Sequence, residues 1–335
     1  MVRGIMKVRR MLPLLLIASA CYNPEEHDIV SESGVVKIRV ADNSVVGTVG
    51  GVPDGRALCS LGNLEFMVAS GTGSVYRFDS QSMALDTSFS VGFGSGSGYR
   101  DMIIPKPGYV YLIGGAGRIV EVSLAGNSVA AEFQVGSLPS AMCASQSVQR
   151  FYVADEGDCR IREVDATTNT VLRQTEPLGA APVAVAAESY LKESLLAVCA
   201  DEAGTVGRVA LNTFHVSPIY IYSPGSDISI FPADTVWAVT HPDWSADNGR
   251  VAICSNFYMP EVTHIQIAGH PTSICSVPGT TLFYVLSYLG SGASRVTAVN
   301  YVTNAVVAEI DIAGFPWDIT SHANGEFVLA LTSGL

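Results

Sequence analysis

Charge is scarce in this 335-residue sequence. Asp, Glu, Lys and Arg make up 15% of it, where an ordinary globular domain carries about 25%. Basic residues are scarcer still once position is considered. Arg3, Lys7, Arg9 and Arg10 fall in the first ten residues, and the rest of the chain holds 15 basic against 31 acidic residues, a net charge of −16. So acidic a body excludes nucleic acid as a partner, because phosphate neutralisation needs clustered Lys and Arg. Long apolar runs are also missing: no stretch beyond the N-terminus reaches the ~18 residues of a spanning helix. There is no C-x-x-C pair and no C-x-x-C-H haem site. What is present is a 48% hydrophobic content that has to be buried somewhere.

The N-terminus reads as an export signal. A basic segment from Arg3 to Arg10 precedes ten apolar residues, Met11 to Ala20. At about 1.5 Å per residue such a run cannot cross a hydrocarbon core of roughly 30 Å, so residues 1–20 are expected to be a signal peptide. Ile17-Ala18-Ser19-Ala20-Cys21 resembles a bacterial lipobox, with Ala18 where that pattern prefers Leu. Cleavage there would leave Cys21 to carry lipid. Ala18-Ser19-Ala20 is equally an A-x-A site for ordinary periplasmic or extracellular secretion. Residues 21–34, with Glu25, Glu26 and Asp28, then form an acidic tether.

From Val35 onward the chain repeats. Gly50, Gly92, Gly136, Gly179, Gly225, Gly269 and Gly314 each end a β-like run, at separations of 42 to 46 residues. After each glycine comes a short apolar run, often led by proline (Pro53, Pro139, Pro182, Pro271, Pro316). A stronger strand follows, such as Leu64 to Ala69, Tyr109 to Ile113 or Val251 to Cys254. A third strand leads to a hairpin turn containing Asn43, Asn127, Asn169 or Asn304. Four short strands per unit of this length predict a seven-bladed all-β propeller. Val35 to Gly50 supplies only strands three and four of a unit, and Phe315 to Leu335 only strands one and two. The two chain ends are therefore expected to share one blade and close the ring. Blades stacked face to face bury both sides of a strand, which accounts for continuous apolar runs.

Tyr301-Val302-Thr303-Asn304, followed by Ala305 to Gly314, resembles the repeat of the YVTN family of seven-bladed propellers. Weaker copies occur at Asp165 to Asn169 with Val171, and at Asn43 with Val45. The resemblance runs from about Val35 to the end and implies an exported or surface-associated protein. Related propellers include lactonases, streptogramin lyases and quinoprotein dehydrogenase subunits, so it implies no particular chemistry.

Six cysteines remain after Cys21. Threaded on the repeat, Cys59, Cys143 and Cys275 share one place on the innermost strand of blades one, three and six. Those blades are not neighbours, and a disulfide needs Cα atoms within about 7 Å. Cys199 and Cys254 read as equivalent on second strands of blades four and five, and Cys159 lies in a turn. All six are expected to be small buried hydrophobes. The histidines His215, His241, His264, His270 and His322 fall in non-equivalent places, with His270 and His322 candidates to flank the channel. Asp243, Asp247 and Asn248 lack the spacing and terminal Glu of a calcium loop. Gly92 to Gly98 opens a strand rather than a helix, so it forms no phosphate cradle. No residue is assigned a catalytic or metal-binding role, and no cofactor is expected.

One constellation emerges from the alignment. Arg56, Arg100, Ser140, Val183, Val236, Thr272 and Trp317 stand three residues before equivalent inner-strand positions. Blade seven adjoins blade one, so Trp317, Arg56 and Arg100 are expected to form an arc at the channel mouth, with Asp101 and Asp318 one residue further on. Such a set suits a carboxylate, phosphate or sugar ligand. Alternatively, the arginines pair with Asp101 and Asp318 and plug the channel. Arg118, Arg160 and Arg295 recur nine residues before an Asn and are expected to bond a neighbouring loop. Ser226 to Ala233, with Ile228, Ile230 and Phe231, reads as an exposed connection suited to protein contact. The expected function is a lipid-anchored envelope propeller that binds another envelope protein or a small anionic ligand without catalysis. The alternative is a propeller enzyme of lactonase or lyase type with an axial site.

Overall fold

The computed structural model describes residues 32–334 except 93–98, 115–116, 146–148, 189–193, 232–235, 245–248 and 256–259. The signal segment, Cys21, most of the tether, the Gly-rich loop beyond Gly92, Ala233, Asp247 and Asn248 lie outside the described residues. Those residues hold 28 strands, β1 to β28 in chain order, arranged as seven antiparallel sheets of four. The innermost strands are β3 (Gly55–Ser60), β7 (Met102–Lys106), β11 (Pro139–Ala144), β15 (Pro182–Ala187), β19 (Asp227–Ile230), β23 (His270–Ser276) and β27 (Phe315–Ser321). Each contacts the next in turn, and β27 contacts β3, so the sheets close into a seven-bladed β-propeller.

The closing blade has the order β2-β1-β28-β27, with β1 at Glu32–Arg39, β2 at Ser44–Pro53 and β28 at Phe327–Ser333. Strand β1 pairs with β28 from Ser33↔Ser333 to Arg39↔Phe327. It takes in residues 32–34, which charge alone had assigned to the tether.

The buried apolar residues fall into seven clusters, one between each pair of consecutive blades. In β28, Val328 and Ala330 pack toward blade six, while Leu329 and Leu331 pack toward blade one. Neighbouring residues thus enter different clusters, and period-two geometry turns an uninterrupted apolar run into two buried faces. Outer strands have only one such face, and their other side leaves Val45, Leu172 and Val307 exposed.

The blades are also joined by polar contacts at the end of the ring where third and fourth strands turn (the lower end). Asn43, Asn127, Asn169 and Asn304 all have φ between 45° and 57°, a conformation their short polar side chains tolerate. Tyr111 in blade two donates from its hydroxyl to Asn169 Oδ1 of blade three at 3.0 Å, and Tyr284 of blade six does the same to Asn43 of blade seven at 2.5 Å. Arg77 of blade one reaches the carbonyl of Leu124, and Arg173 of blade three that of Leu211.

Two expectations are corrected here. Arg118, Arg160 and Arg295 bond within their own blades, to Glu132, to the Thr175 carbonyl, and to Glu309 and Asp311. Blade five is threaded differently as well. Val236–His241 is its second strand and Arg250–Ser255, with Cys254, its third. The stretch read as an exposed connection supplies the innermost strand β19, with Ile228, Ile230 and Phe231 all buried. Its four residues are too few to show a strand period, whereas Val236–His241 is apolar throughout its first four.

Candidate functional site

Inner strands all begin at the upper end of the ring, where second strands finish; His270 faces Tyr288 there, and Phe315 faces Ser333. Five of them carry a β-bulge at one place: the register slips between Gly55 and Ala57, Pro139 and Ala141, Pro182 and Ala184, Pro271 and Ser273, and Pro316 and Asp318. The extra residues are Arg56, Ser140, Val183, Thr272 and Trp317. A bulge re-aims its side chain, so five positions aligned in sequence are those the backbone sets apart. Val236 does not belong to this set, because it starts a second strand. In blade five Ser226 and Asp227 both bond Thr240, and Ser226 takes that place.

Arg56 and Trp317 come together across the seam between blades one and seven. The guanidinium lies 4.3 Å from the Trp317 ring centroid, and its Nε donates to Asp54 Oδ1 at 2.6 Å. Asp54 packs over Gly71, where an added Cβ would collide with its carboxylate as it stands. Trp317 Nε1 is buried and makes no hydrogen bond to a described residue. Arg100 instead turns to blade three and pairs with Glu156 at 3.0 Å. Neither arginine takes Asp101 or Asp318 as its ion-pair partner among the described residues.

Those two aspartates, joined by Asp227, stitch inner strands together. Asp318 Oδ2 accepts the N–H of Leu58 at 2.8 Å, Asp101 Oδ2 that of Met142 at 2.6 Å, and Asp227 Oδ2 that of Ile274 at 2.9 Å. The other oxygen of each accepts the N–H of the residue that follows it. In every case the next blade places Ala or Ser opposite: Ala57, Ala141 or Ser273. Ser273 Oγ donates to Asp227 at 3.0 Å and lies 3.4 Å from Asp318. Burial dominates their titration, lifting Asp101 to about 7, Asp227 to about 6 and Asp318 well above the usual range, against the opposing pull of the N–H donors. The Asp101 charge raises Asp318 further, and Asp227 acts on both.

Two residues further along each strand, Ile103, Ser229 and Thr320 line a cavity of about 380 Å³ with Cys143, Ala186 and Ile230. The thiols of Cys59, Cys143 and Cys275 are pushed upward by burial, Cys59 to about 12. The six cysteines from Cys59 to Cys275 are all free.

Sequence reasoning missed Asp227, since blade five was threaded out of register. The signal existed: Asp227-Ile228, Asp101-Met102 and Asp318-Ile319 are the same acid-then-apolar pair. It also missed an aromatic arc along the upper end. Trp244 stacks on His270 at 4.3 Å, His270 lies 6.4 Å from Tyr288, Tyr288 is 4.9 Å from Phe315, and Phe315 is 5.5 Å from Trp317. The rings come from blades five, six and seven and share no sequence period. His322 sits at the lower end instead, its Nε2 2.9 Å from Ser80 Oγ.

No family model matches the chain, and no curated protein matches it in sequence. Solved structures match it in shape. The chain is similar to Kuenenia stuttgartiensis hydrazine synthase at 17% identity and a TM-score of 0.72, over 83% of this chain and 92% of that one. It is similar to U3-55K at 13% identity and 0.69, over 83% and 95% of the two chains. The WD40 domain of Neurospora crassa Pan2 matches at 12% and 0.64, over 84% and 90%. At these identities the likeness is one of fold, and the fold is that of a seven-bladed propeller.

Proposed function

We propose that this protein is an exported binding propeller of the bacterial cell envelope, held to a bilayer through a lipidated Cys21 and akin to the YVTN-family propellers. Its ligand, a small anionic molecule or an acidic patch of another envelope protein, is taken at the upper end near Arg56, Arg100, Trp317, Asp101 and Asp318. The observation that carries this reading is Arg56, presented on a bulge, set over the Trp317 ring and oriented by Asp54. A guanidinium fixed in this way keeps donors for a carboxylate or phosphate and loses little side-chain freedom when it binds one. The axial aspartates have a structural task, since both oxygens of each are committed to backbone N–H groups. That leaves binding, rather than catalysis, as the work of the site. The WD40 domains similar in fold support the same reading by analogy alone.

Two measurements test it. Mass spectrometry of the native N-terminus is expected to show diacylglyceryl on Cys21; a free amino-terminal cysteine would remove the anchor. Calorimetry with inorganic phosphate and a sugar phosphate is expected to show binding by the wild type. In the Arg56→Ala/Arg100→Ala variant affinity should fall about tenfold or more while the protein still folds, a loss of roughly 1.4 kcal/mol or more. Equal binding by both proteins would reject the site.

A further inference from the structure

The two ends of the ring differ in what they offer a surface, and the chain leaves from one of them. Ser33 pairs with Ser333 and accepts the Gly55 N–H on its hydroxyl at 2.8 Å, while the Gly334 N–H donates to the Glu32 carbonyl. The segment before Glu32 therefore joins the propeller at the upper end, in blade seven, beside Phe315, Trp317 and Arg56. Ten residues lie between Cys21 and Glu32, a path of eleven Cα–Cα steps. Fully extended they span no more than about 40 Å.

The aromatic arc lies on that same end and runs from blade five to blade seven. Trp244, Tyr288, Phe315 and Trp317 are all half-buried, with the indole nitrogens of both tryptophans on the buried side. Trp and Tyr are the residues enriched at a membrane–water boundary. Three arginines at this end already have acidic partners: Arg56 has Asp54, Arg100 has Glu156, and Arg162 has Asp155 and Asp158. The lower end is different. Its hairpin turns carry Asp42, Asp79 and Asp165, held ionised by hydrogen bonds from Ser44, Ser82 and Thr167. Its most exposed aliphatics, Leu64 and Val302, belong to turns of different blades. Anionic headgroups repel those carboxylates.

We infer that the aromatic upper end is a membrane-facing surface: the bilayer that holds Cys21 is also what Trp244, Tyr288, Phe315 and Trp317 rest against. The occupant is a phospholipid surface. The inference rests on the tethered reading above and adds which face meets the membrane.

Tryptophan quenching by brominated acyl chains tests it. The mature chain is held on phosphatidylethanolamine–phosphatidylglycerol vesicles, either by its own lipid or by a hexahistidine placed before residue 22 and a nickel-chelating lipid. Emission is expected to fall by about one third or more on brominated relative to plain vesicles. The W244F/W317F variant keeps only the buried Trp237 and should show no fall. V302W in that background reports the lower end and should also stay unquenched. Unchanged emission of the membrane-held wild type, or quenching of V302W, would overturn the inference. Flotation of untagged wild type against Cys21→Ala judges the anchor separately. If the anchor fails, the nickel-held protein still decides the face.

Discussion

At the axis, Asp101, Asp227 and Asp318 set the desolvation of a carboxylate against two N–H donors each, and desolvation prevails. In the unfolded chain these groups titrate near 3.8. Between that value and about 6 to 7 the native state binds more protons than the unfolded state, so stability falls as pH rises through that range. His241 and His322 act the other way. Burial lowers both to about 4 from 6.5, so their stabilising neutral forms are lost as pH falls from 6.5 towards 4. Three aspartates outweigh two histidines, so the melting temperature is expected to decline from about pH 4 towards the alkaline side, less steeply below pH 6.5 where the histidines offset part of the fall. In D101N/D227N the alkaline decline should flatten by an amount on the order of 2 kcal/mol. A curve that still rises to pH 8 in the wild type would contradict this account. Asp101 and Asp318 were legible in the sequence as members of one ring. Their task was not, because a backbone N–H on the next blade leaves no mark in composition.

At the scale of elements, the hairpin turns were legible and the inner strand of blade five was not. Asn43, Asn127, Asn169 and Asn304 announce their turns because few other residues tolerate positive φ. A strand as short as β19 announces nothing. The aromatic arc was hidden for a related reason: its members sit at strand ends and in a loop, where no period applies. The turn asparagines do more than turn. Tyr111 and Asn169 lock blade two to blade three, and Asn169 Nδ2 also donates to Glu121 Oε2 at 2.6 Å. Removing one partner leaves a buried polar group unsatisfied. Tyr111→Phe and Asn169→Ala should each cost about 1–2 kcal/mol in urea unfolding. A double-mutant cycle should show a coupling of at least about 0.5 kcal/mol. Strict additivity would mean that the hydrogen bond is not what joins these blades.

For the whole molecule, closure is the deciding feature. Strand β1 lies between β2 and β28, so one end of the chain is fixed by the other. The seam to blade one is reinforced by Lys37 Nζ donating to the Ser80 carbonyl at 2.6 Å, by the Leu58 N–H to Asp318, and by Arg56 on Trp317. A variant lacking residues 32–43 would leave β28 as an unpaired apolar edge, open to aggregation. It is expected to lose the single cooperative melting transition and to elute as aggregate in size-exclusion chromatography. A monomer with an intact transition would show that six blades hold without the closing strand.

The sequence by itself determined the number of blades, the sharing of one blade by both chain ends, and the turns, because each follows from a local rule repeated about every 44 residues. It also determined that the cysteines would not pair, since equivalent positions on separate blades cannot meet. Only the tertiary structure decided what the recurrent positions do. It placed Arg56 on Trp317 rather than beside Arg100, made staples of three aspartates, and gathered five rings from three blades along one end. Those contacts join residues tens to hundreds of positions apart, across seams set by sheet packing. The periodicity says that two blades adjoin, but which side chains meet at the seam depends on bulges, strand ends and burial.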